Sequence, residues 1–457
     1  MKKSNKVVGA VCLVCACALS MIGCTQPHPT AGKNYTIAQV DLSKENNTFG
    51  DKYDELYEQY VIDNGSNYMA HPDTVLLKDG RLVTMYPEGH GKGAVLTKQS
   101  FDGGKTWGER LTDTPQSWKN SMETPTVYRL EFNDKSEKIV MISAFPRWWY
   151  ADLNKTVPGD GFNASFSNDD GKTWTEFENF YGKNSKKYIQ PIVAMSSLTR
   201  LKDSDGKWRD AWLGTFHDHN FVNYTSVLTF EGDKMLWSKP KEYLKKYRNI
   251  EKYAGICEVE IIRSEQGKGN QLCLLARSNG FKGKNNNSMI CFSDDEGETW
   301  SKPTETPSAY SGERHKAEWL PDGRLFITFR SIERDQKKLE LYHEKDSTKV
   351  WYSEGWIGWV GSYDDLVGGK EGQYRVKLAH TYLPWQDKAE VTASADTGYC
   401  GNAVLPDGIV FTSTYGTFDK DLTYIDAKTG DKKLKTFIVG KRLNMTLLDE
   451  LALKIKK

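Results

Sequence analysis

Ser100-Phe101-Asp102-Gly103-Gly104-Lys105-Thr106-Trp107 decides how this chain is read, because the stretch returns. Ser167 to Trp174 reads SNDDGKTW, and Ser293 to Trp300 reads SDDEGETW. A worn copy, TFEGDKMLWS, runs from Thr229 to Ser238 and keeps its tryptophan at Trp237. Trp107, Trp174, Trp237 and Trp300 stand 67, 63 and 63 residues apart, and a fixed period of this size marks a repeat architecture. Each copy, S-x-D-x-G-x-T-W, reads as a hairpin turn. Asp or Ser at its head bonds backbone amides further round, Gly supplies a positive φ, and Thr and Trp open the next strand. A calcium loop is excluded, since the acidic positions lack the ligand ladder and terminal Glu of an EF-hand.

The copies divide the chain into units, each with a recognisable opening hairpin. Asp73 to Val83 reads DTVLLKDGRLV, two apolar runs joined through Asp-Gly. The pattern returns from Ala317 to Phe326 (AEWLPDGRLF) and from Ala403 to Val410 (AVLPDGIV), with weaker versions at Pro125 to Ile142, Val193 to Leu213 and Val259 to Leu275. Six such hairpins predict an all-β, six-bladed β-propeller with blades at roughly 65–120, 121–187, 188–250, 251–308, 309–366 and 367–440. Each blade is expected to be a four-stranded antiparallel sheet around a central channel. Helix signals are nearly absent. Tyr35 to Ile62 and a last strand around Thr436 to Leu448 lie outside the six units, and closure of the ring requires one of them to complete the final blade.

The repeated stretch resembles the Asp-box, or BNR repeat, of sialidases (neuraminidases) and related β-propellers, and the chain resembles a divergent bacterial member of that superfamily. The resemblance implies that the boxes lie on the periphery, away from the active face, so their residues are scaffold.

Composition fits this reading. The 457 residues include 14 Trp and 23 Tyr, which suits a β-rich protein with a carbohydrate-facing surface. A net charge of +1 gives no global field for nucleic acid or an anionic membrane. The first residues read as targeting rather than fold. Lys2, Lys3 and Lys6 precede a short apolar run, Val7 to Ile22, which ends in Met21-Ile22-Gly23-Cys24. This resembles a bacterial lipobox, with residues 1–23 as signal peptide, lipid on Cys24, 24–34 as tether, and one propeller domain over 35–457. The expected location is exported and membrane-anchored, periplasmic or at the cell surface, with the membrane contacted through the N-terminal lipid only. Of eight cysteines, Cys12, Cys15 and Cys17 leave with the signal and Cys24 carries lipid. Cys257, Cys273, Cys291 and Cys400 have no zinc spacing and read as isolated buried thiols.

The chemistry follows from the same resemblance. Sialidases hold the sugar carboxylate with three arginines and use a tyrosine nucleophile activated by a glutamate, with an aspartate as acid/base. Arg suits the first task because its rigid fork matches a carboxylate bidentately. Glu258 in CEVEII followed by Arg277 in LLARSNG resembles the family's glutamate and second arginine, with Glu260 as the alternative acid. Arg375 in EGQYR is the candidate third arginine, and Gly398-Tyr399 before AVLPDGIV makes Tyr399 the candidate nucleophile. The chain also departs from the family. Tyr68-Met69-Ala70-His71-Pro72 stands where the first arginine is expected, Thr414-Tyr415-Gly416 where a closing glutamate is expected, and the acid/base position falls to Glu88 or His90, or Asp73 further back. Gly312-Glu313-Arg314-His315, Arg330, His217-Asp218-His219 and Asp396 lie at strand ends where propellers collect site residues. The HDH triplet cannot present three ligands to one metal from one strand, because neighbours alternate faces. The candidate site is therefore Tyr399, Glu258, Glu88, His90 and Asp396 for catalysis. Arg277, Arg314, Arg330, Arg375, His71, Asp73 and His315 serve substrate binding, with no metal or cofactor.

Arginines, histidines and carboxylates gathered in this way fit an acidic sugar, and they imply an exo-acting glycoside hydrolase that releases terminal sialic acid or a related acidic sugar. A uronate-directed lyase or hydrolase using a His and a Tyr is the second reading, and a non-catalytic glycan-binding lipoprotein the third.

Overall fold

The computed structural model describes residues 35–456 except 44–46, 91–92, 121–122, 145–160, 183–184, 187–188, 194, 219, 251–252, 254, 279–286, 333–352, 380 and 382–396. Cys24 and Asp396 therefore lie outside the described residues.

Strands such as Ile256–Arg263 and Leu272–Ser278 are buried along their whole length rather than on alternate residues. Sheets stacked face to face bury both sides of their central strands in this way. Blade 1 pairs Asp73–Leu76, Leu82–Pro87 and Val95–Ser100, three strands among the described residues. Blade 2 is Glu123–Glu131, Glu137–Ala144, Phe162–Ser167 and Glu178–Phe180. Blade 3 is Ser197–Lys202, Trp208–His217, Asn223–Glu231 and Lys234–Trp237, with Lys241–Glu242 also on its third strand. Blade 4 is Ile256–Arg263, Leu272–Ser278, Met289–Ser293 and Thr304–Glu305. Blade 5 is Glu313–Trp319, Leu325–Ile332, Ser353–Gly361 and Tyr374–Lys377, and blade 6 is Gly401–Val404, Val410–Gly416 and Phe437–Leu443. All six expected opening hairpins are present, in the expected order.

Ring closure differs from expectation, because both chain ends take part. Tyr60–Asp63 pairs antiparallel with Phe437–Leu443 and completes blade 6. Ala38–Asp41 pairs in parallel with Tyr374–Lys377 and gives blade 5 a fifth strand. Each addition covers an otherwise open outer edge. The last segment is also not strand throughout. A helix runs over Met445–Ile455, capped by Asn444 Oδ1 accepting the Leu447 amide at 3.3 Å. Its Met445, Leu448, Leu451 and Ala452 are buried, one face of a helical period. Asp449 on that helix accepts both Arg324 Nη atoms at 2.8 Å and the Tyr374 hydroxyl at 2.6 Å, which fastens the helix to blade 5. No helix among the described residues is long and apolar enough to cross a membrane.

The repeated boxes close on themselves as their sequence requires. Asp102 accepts the Thr106 amide at 2.9 Å and its hydroxyl at 2.6 Å, Ser100 Oγ accepts the Gly104 amide at 2.8 Å, and Trp107 Nε1 donates to the Gly104 carbonyl at 3.2 Å. Asp169 and Asp295 hold Thr173 and Thr299 in the same way. Burial alone raises the Asp102 pKa, but these hydrogen bonds outweigh it and bring the carboxyl to about 2. Gly104 is required here, since a Cβ on it would stand 2.3 Å from the Phe411 ring of blade 6. Cys257, Cys273, Cys291 and Cys400 are buried and unbridged.

The terminal helix is held by its apolar face, so Leu448→Ala is expected to cost about 2–5 kcal/mol, the range for truncating a fully buried leucine. Thr446→Ala, on the exposed side, should stay within about 0.5 kcal/mol of the parent. Urea denaturation of the two variants tests this, and equal losses would mean the helix is not docked as described.

Candidate active site

The first strand of each blade begins within three residues of one with positive φ: His71 (46°), Thr124 (33°), Met195 (50°), Glu258 (47°), Arg314 (53°) and Gly398 (91°). Five of the six are not glycine, and left-handed backbone is costly for them. Strand register breaks at three of these points, between Glu123 and Thr126, Cys257 and Val259, and Glu313 and Lys316. A bulge of this kind re-aims a side chain. In blades 1, 4, 5 and 6 the residues so placed include His71, Glu258, Glu313 and Tyr399, and these four share one connected cluster.

The Tyr399 hydroxyl donates to Glu258 Oε1. Arg277, at the end of the neighbouring strand of blade 4, places Nη1 3.1 and 3.0 Å from the two Glu258 oxygens and 3.3 Å from the Tyr399 hydroxyl. Its Nη2 lies 3.2 Å from Glu313 Oε1. Glu313 Oε2 accepts Arg330 Nε at 2.9 Å and also Arg330 Nη2. Arg330 Nη1 donates to the Thr397 carbonyl at 3.3 Å, and its guanidinium sits 5.3 Å from the centre of the Tyr399 ring. The His71 ring, 4.5 Å from Tyr399 between centroids, also meets His90 at 4.6 Å and Tyr415 at 5.0 Å. Gly398 permits this approach, since a Cβ there would stand 2.6 Å from Arg330 Cβ.

Electrostatics assigns protonation states. Burial alone raises Glu258, but the Arg277 charge, the Tyr399 hydroxyl and Arg330 outweigh it and hold the carboxyl at about 2. Burial and then the Glu258 charge push Tyr399 well above the ordinary phenol value, so the phenol is neutral. Glu260, two residues beyond Glu258, behaves oppositely: burial raises it to about 7, against the pull of Lys316 and Arg314.

The remaining sequence-derived candidates are spread more widely. Arg314 turns its Nη1 to the Ser196 carbonyl of blade 3 at 2.8 Å. Asp73 accepts the Val127 amide at 3.0 Å and stands 3.4 Å from Lys316 Nζ. Glu88 is exposed at the rim, accepting Ser66 Oγ at 2.5 Å, with Arg110 at 3.8 Å. His315 is buried with Nε2 2.9 Å from the Tyr310 carbonyl and its ring against Phe329. Arg375 lies outside the cluster, 4.3 Å from the Tyr35 ring centre and 3.2 Å from the Ser308 carbonyl. The arginine that joins Arg277 is Arg330. Glu313 went unassigned in sequence, although it opens the innermost strand of blade 5 much as Glu258 opens that of blade 4.

The six blades define a β-propeller, and at its centre a buried tyrosine, glutamate and arginine from blades 4 and 6 meet. The family described as BNR repeat-like domain is matched over residues 131–357 of this chain. A Dyadobacter fermentans protein of unknown function superposes with a TM-score of 0.54 at 16% identity, over 84% of this chain and 97% of its own. The α-L-arabinofuranosidase of Fusarium graminearum, solved with arabinobiose, gives 0.54 at 13%, over 85% and 98%. A Hadza microbial sialidase gives 0.49 at 13%, over 85% and 69%, a likeness too slight to bear weight. No curated protein matches the chain.

Glu258 and Glu260 should give opposite pH signatures. A carboxyl lowered to about 2 adds stability that is complete above its unfolded value and lost as pH falls through about 2. One raised to about 7 adds stability present below its unfolded value and lost as pH rises through about 7. Relative to the parent, Glu260→Gln is therefore expected to gain on the order of 2–3 kcal/mol between pH 4.5 and pH 8. Glu258→Gln should be destabilised from pH 5 to 8, with the deficit shrinking toward pH 3. Urea denaturation across this range measures both, and parallel profiles would contradict the assignment.

Proposed function

We propose that the protein is an exo-acting glycoside hydrolase that removes a terminal acidic sugar, sialic acid or a relative, from glycoconjugates. The observation that carries this reading is the neutral, buried Tyr399 hydroxyl donating into a Glu258 carboxylate fixed by Arg277. A phenol oxygen attacks the anomeric carbon while its proton passes to Glu258. The bond to the leaving sugar breaks as an acid at the rim, His90 or Glu88, protonates the departing oxygen. Water then displaces the tyrosine, giving up one proton as the leaving acid is restored, while Glu258 returns its proton to the phenol oxygen. A neutral nucleophile suits an anomeric centre that already bears a carboxylate, where the usual carboxylate nucleophile would be repelled. The named activity of the arabinofuranosidase on the same fold is also glycoside hydrolysis.

A uronate-directed lyase or hydrolase is the second reading, favoured by the His71 ring, which lies 4.5 Å from that of Tyr399 and meets His90 edge-on at 4.6 Å. A panel of 4-methylumbelliferyl glycosides and mucin, with products weighed by mass spectrometry, separates the two. The expected result is a free acidic sugar, lost in Tyr399→Phe and reduced roughly 10²–10⁴-fold in Glu258→Gln. His90→Ala should retain turnover of the aryl glycosides, whose leaving group needs no acid. A product carrying a double bond, lost in His90→Ala, moves the assignment to the lyase. A folded protein that binds glycans and releases nothing is a binding module.

The same proposal places the enzyme at a membrane through lipid on Cys24. Cys24→Ser should shift the protein from the detergent phase to the aqueous phase and abolish fatty-acid labelling. Persistence in the detergent phase would remove the lipid from the account.

A further inference from the structure

Two guanidiniums, Arg277 and Arg330, stand where the acidic-sugar reading puts the substrate's carboxylate, and the chain supplies two carboxylates of its own to them. Glu258 takes Arg277 Nη1. Glu313, buried, joins the two arginines through both its oxygens: Oε1 at 3.2 Å from Arg277 Nη2, Oε2 at 2.9 Å from Arg330 Nε and bonded to Arg330 Nη2. The formal charges of this four-residue chain cancel. Glu313 therefore does for the arginine pair what a bound substrate carboxylate would do, bridging both forks.

We propose that Glu313 is a specificity-determining residue, an internal carboxylate that competes with the carboxylate of an incoming sugar for Arg277 and Arg330. The inference rests on the acidic-sugar reading above. An acidic sugar reaches the pair only by taking over hydrogen bonds that Glu313 holds, and it does so beside a like charge, which is repulsive. A sugar that offers hydroxyl groups meets no such opposition, because a hydroxyl donates to a carboxylate without repelling it. Glu313 thus weakens the hold on acids relative to neutral sugars, and it sets the ratio by its charge rather than its bulk.

The test is calorimetric titration of the parent, Glu313→Gln and Glu313→Asp with free N-acetylneuraminic acid and, as the uncharged probe, free arabinose. Glu313→Gln, which keeps the shape and removes the charge, is expected to bind the acid at least about tenfold more tightly, with arabinose unchanged. Glu313→Asp, which keeps the charge, should stay within about threefold of the parent. Equal tightening by Gln and Asp, or no gain with Gln, overturns the proposal. Glu313→Ser also removes the charge and serves if Glu313→Gln fails to show a cooperative melt. Binding is read without turnover, so the two ideas fail separately. A parent that hydrolyses nothing while Glu313→Gln gains affinity for the acid sinks the catalytic reading alone. A parent that releases acidic sugar while Glu313→Gln gains no affinity sinks this one alone.

Discussion

The ring depends on the joint between its last and first blades. Tyr60–Asp63, from the start of the described chain, is sealed against Phe437–Leu443 from its end, and the joint is fixed by charge as well as by backbone pairing. Asp63 is buried and accepts the Tyr86 hydroxyl at 2.5 Å and Arg110 Nε and Nη2 at 2.6 and 3.0 Å, ties that lead into blade 1. On the other side, buried Lys441 donates to the carbonyls of Leu56, Tyr57 and Glu58 at 3.0–3.1 Å. A slip of one residue in this pairing reverses every side chain on the strand. The site feels the joint directly, because blade 6 brings Tyr399 and blade 1 brings the His71 ring against it. Chemistry at the centre is conditional on closure at the rim.

Within that frame one backbone device, repeated around the axis, does the positioning. The left-handed residue at the head of each inner strand is a local cost that the packed blades on either side sustain. Only some of the six carry reactive side chains. Thr124 and Met195 occupy the equivalent places in blades 2 and 3, and the cluster described above draws on blades 1, 4, 5 and 6. The repeat supplies the geometry evenly, and the residue types make one side of the channel mouth chemical.

Most of the fold was legible in sequence because its signals are local. The Ser-Asp-Gly-Thr-Trp turns and the opening hairpins specify conformations within a few residues, and the six opening hairpins fix the blade count. The closure was less legible, since strands at either end carry no box and find their partners across nearly the whole chain. The terminal helix was missed because its apolar spacing directly follows a strand, with only Asn444 to mark the change. In the cluster, Tyr399, Glu258 and Arg277 were singled out by the resemblance of their order along the chain to that of sialidases. The preference for Arg375 followed an isolated motif, whereas Arg330 joins the cluster through an inner hairpin that pairs it directly opposite Glu313. Glu313 carried a signal of the same kind as Glu258, a carboxylate at the head of an inner strand, but a pairing between two arginines is a property of three strands and is invisible in any one of them.

Below the cluster the axis continues as a stack of matched charges. Lys316 stands 3.4 Å from Asp73 and 5.2 Å from the centre of the Tyr128 ring, Arg314 reaches the Ser196 carbonyl, and Glu260 accepts the Ala317 amide at 3.2 Å. Glu258 and Glu260 show how finely this is divided. They are two residues apart on one bulged strand, yet Arg277 bonds directly to the first and holds it ionised, while the second has cations only at longer range and burial raises it to about 7. Such an axis is not an electropositive funnel, and a chain of net charge +1 provides no distant field to replace one. Selectivity for charge has to arise at contact, where a ligand exchanges partners with groups that are already paired. The outcome then turns on the few side chains that give up a bond when the ligand arrives.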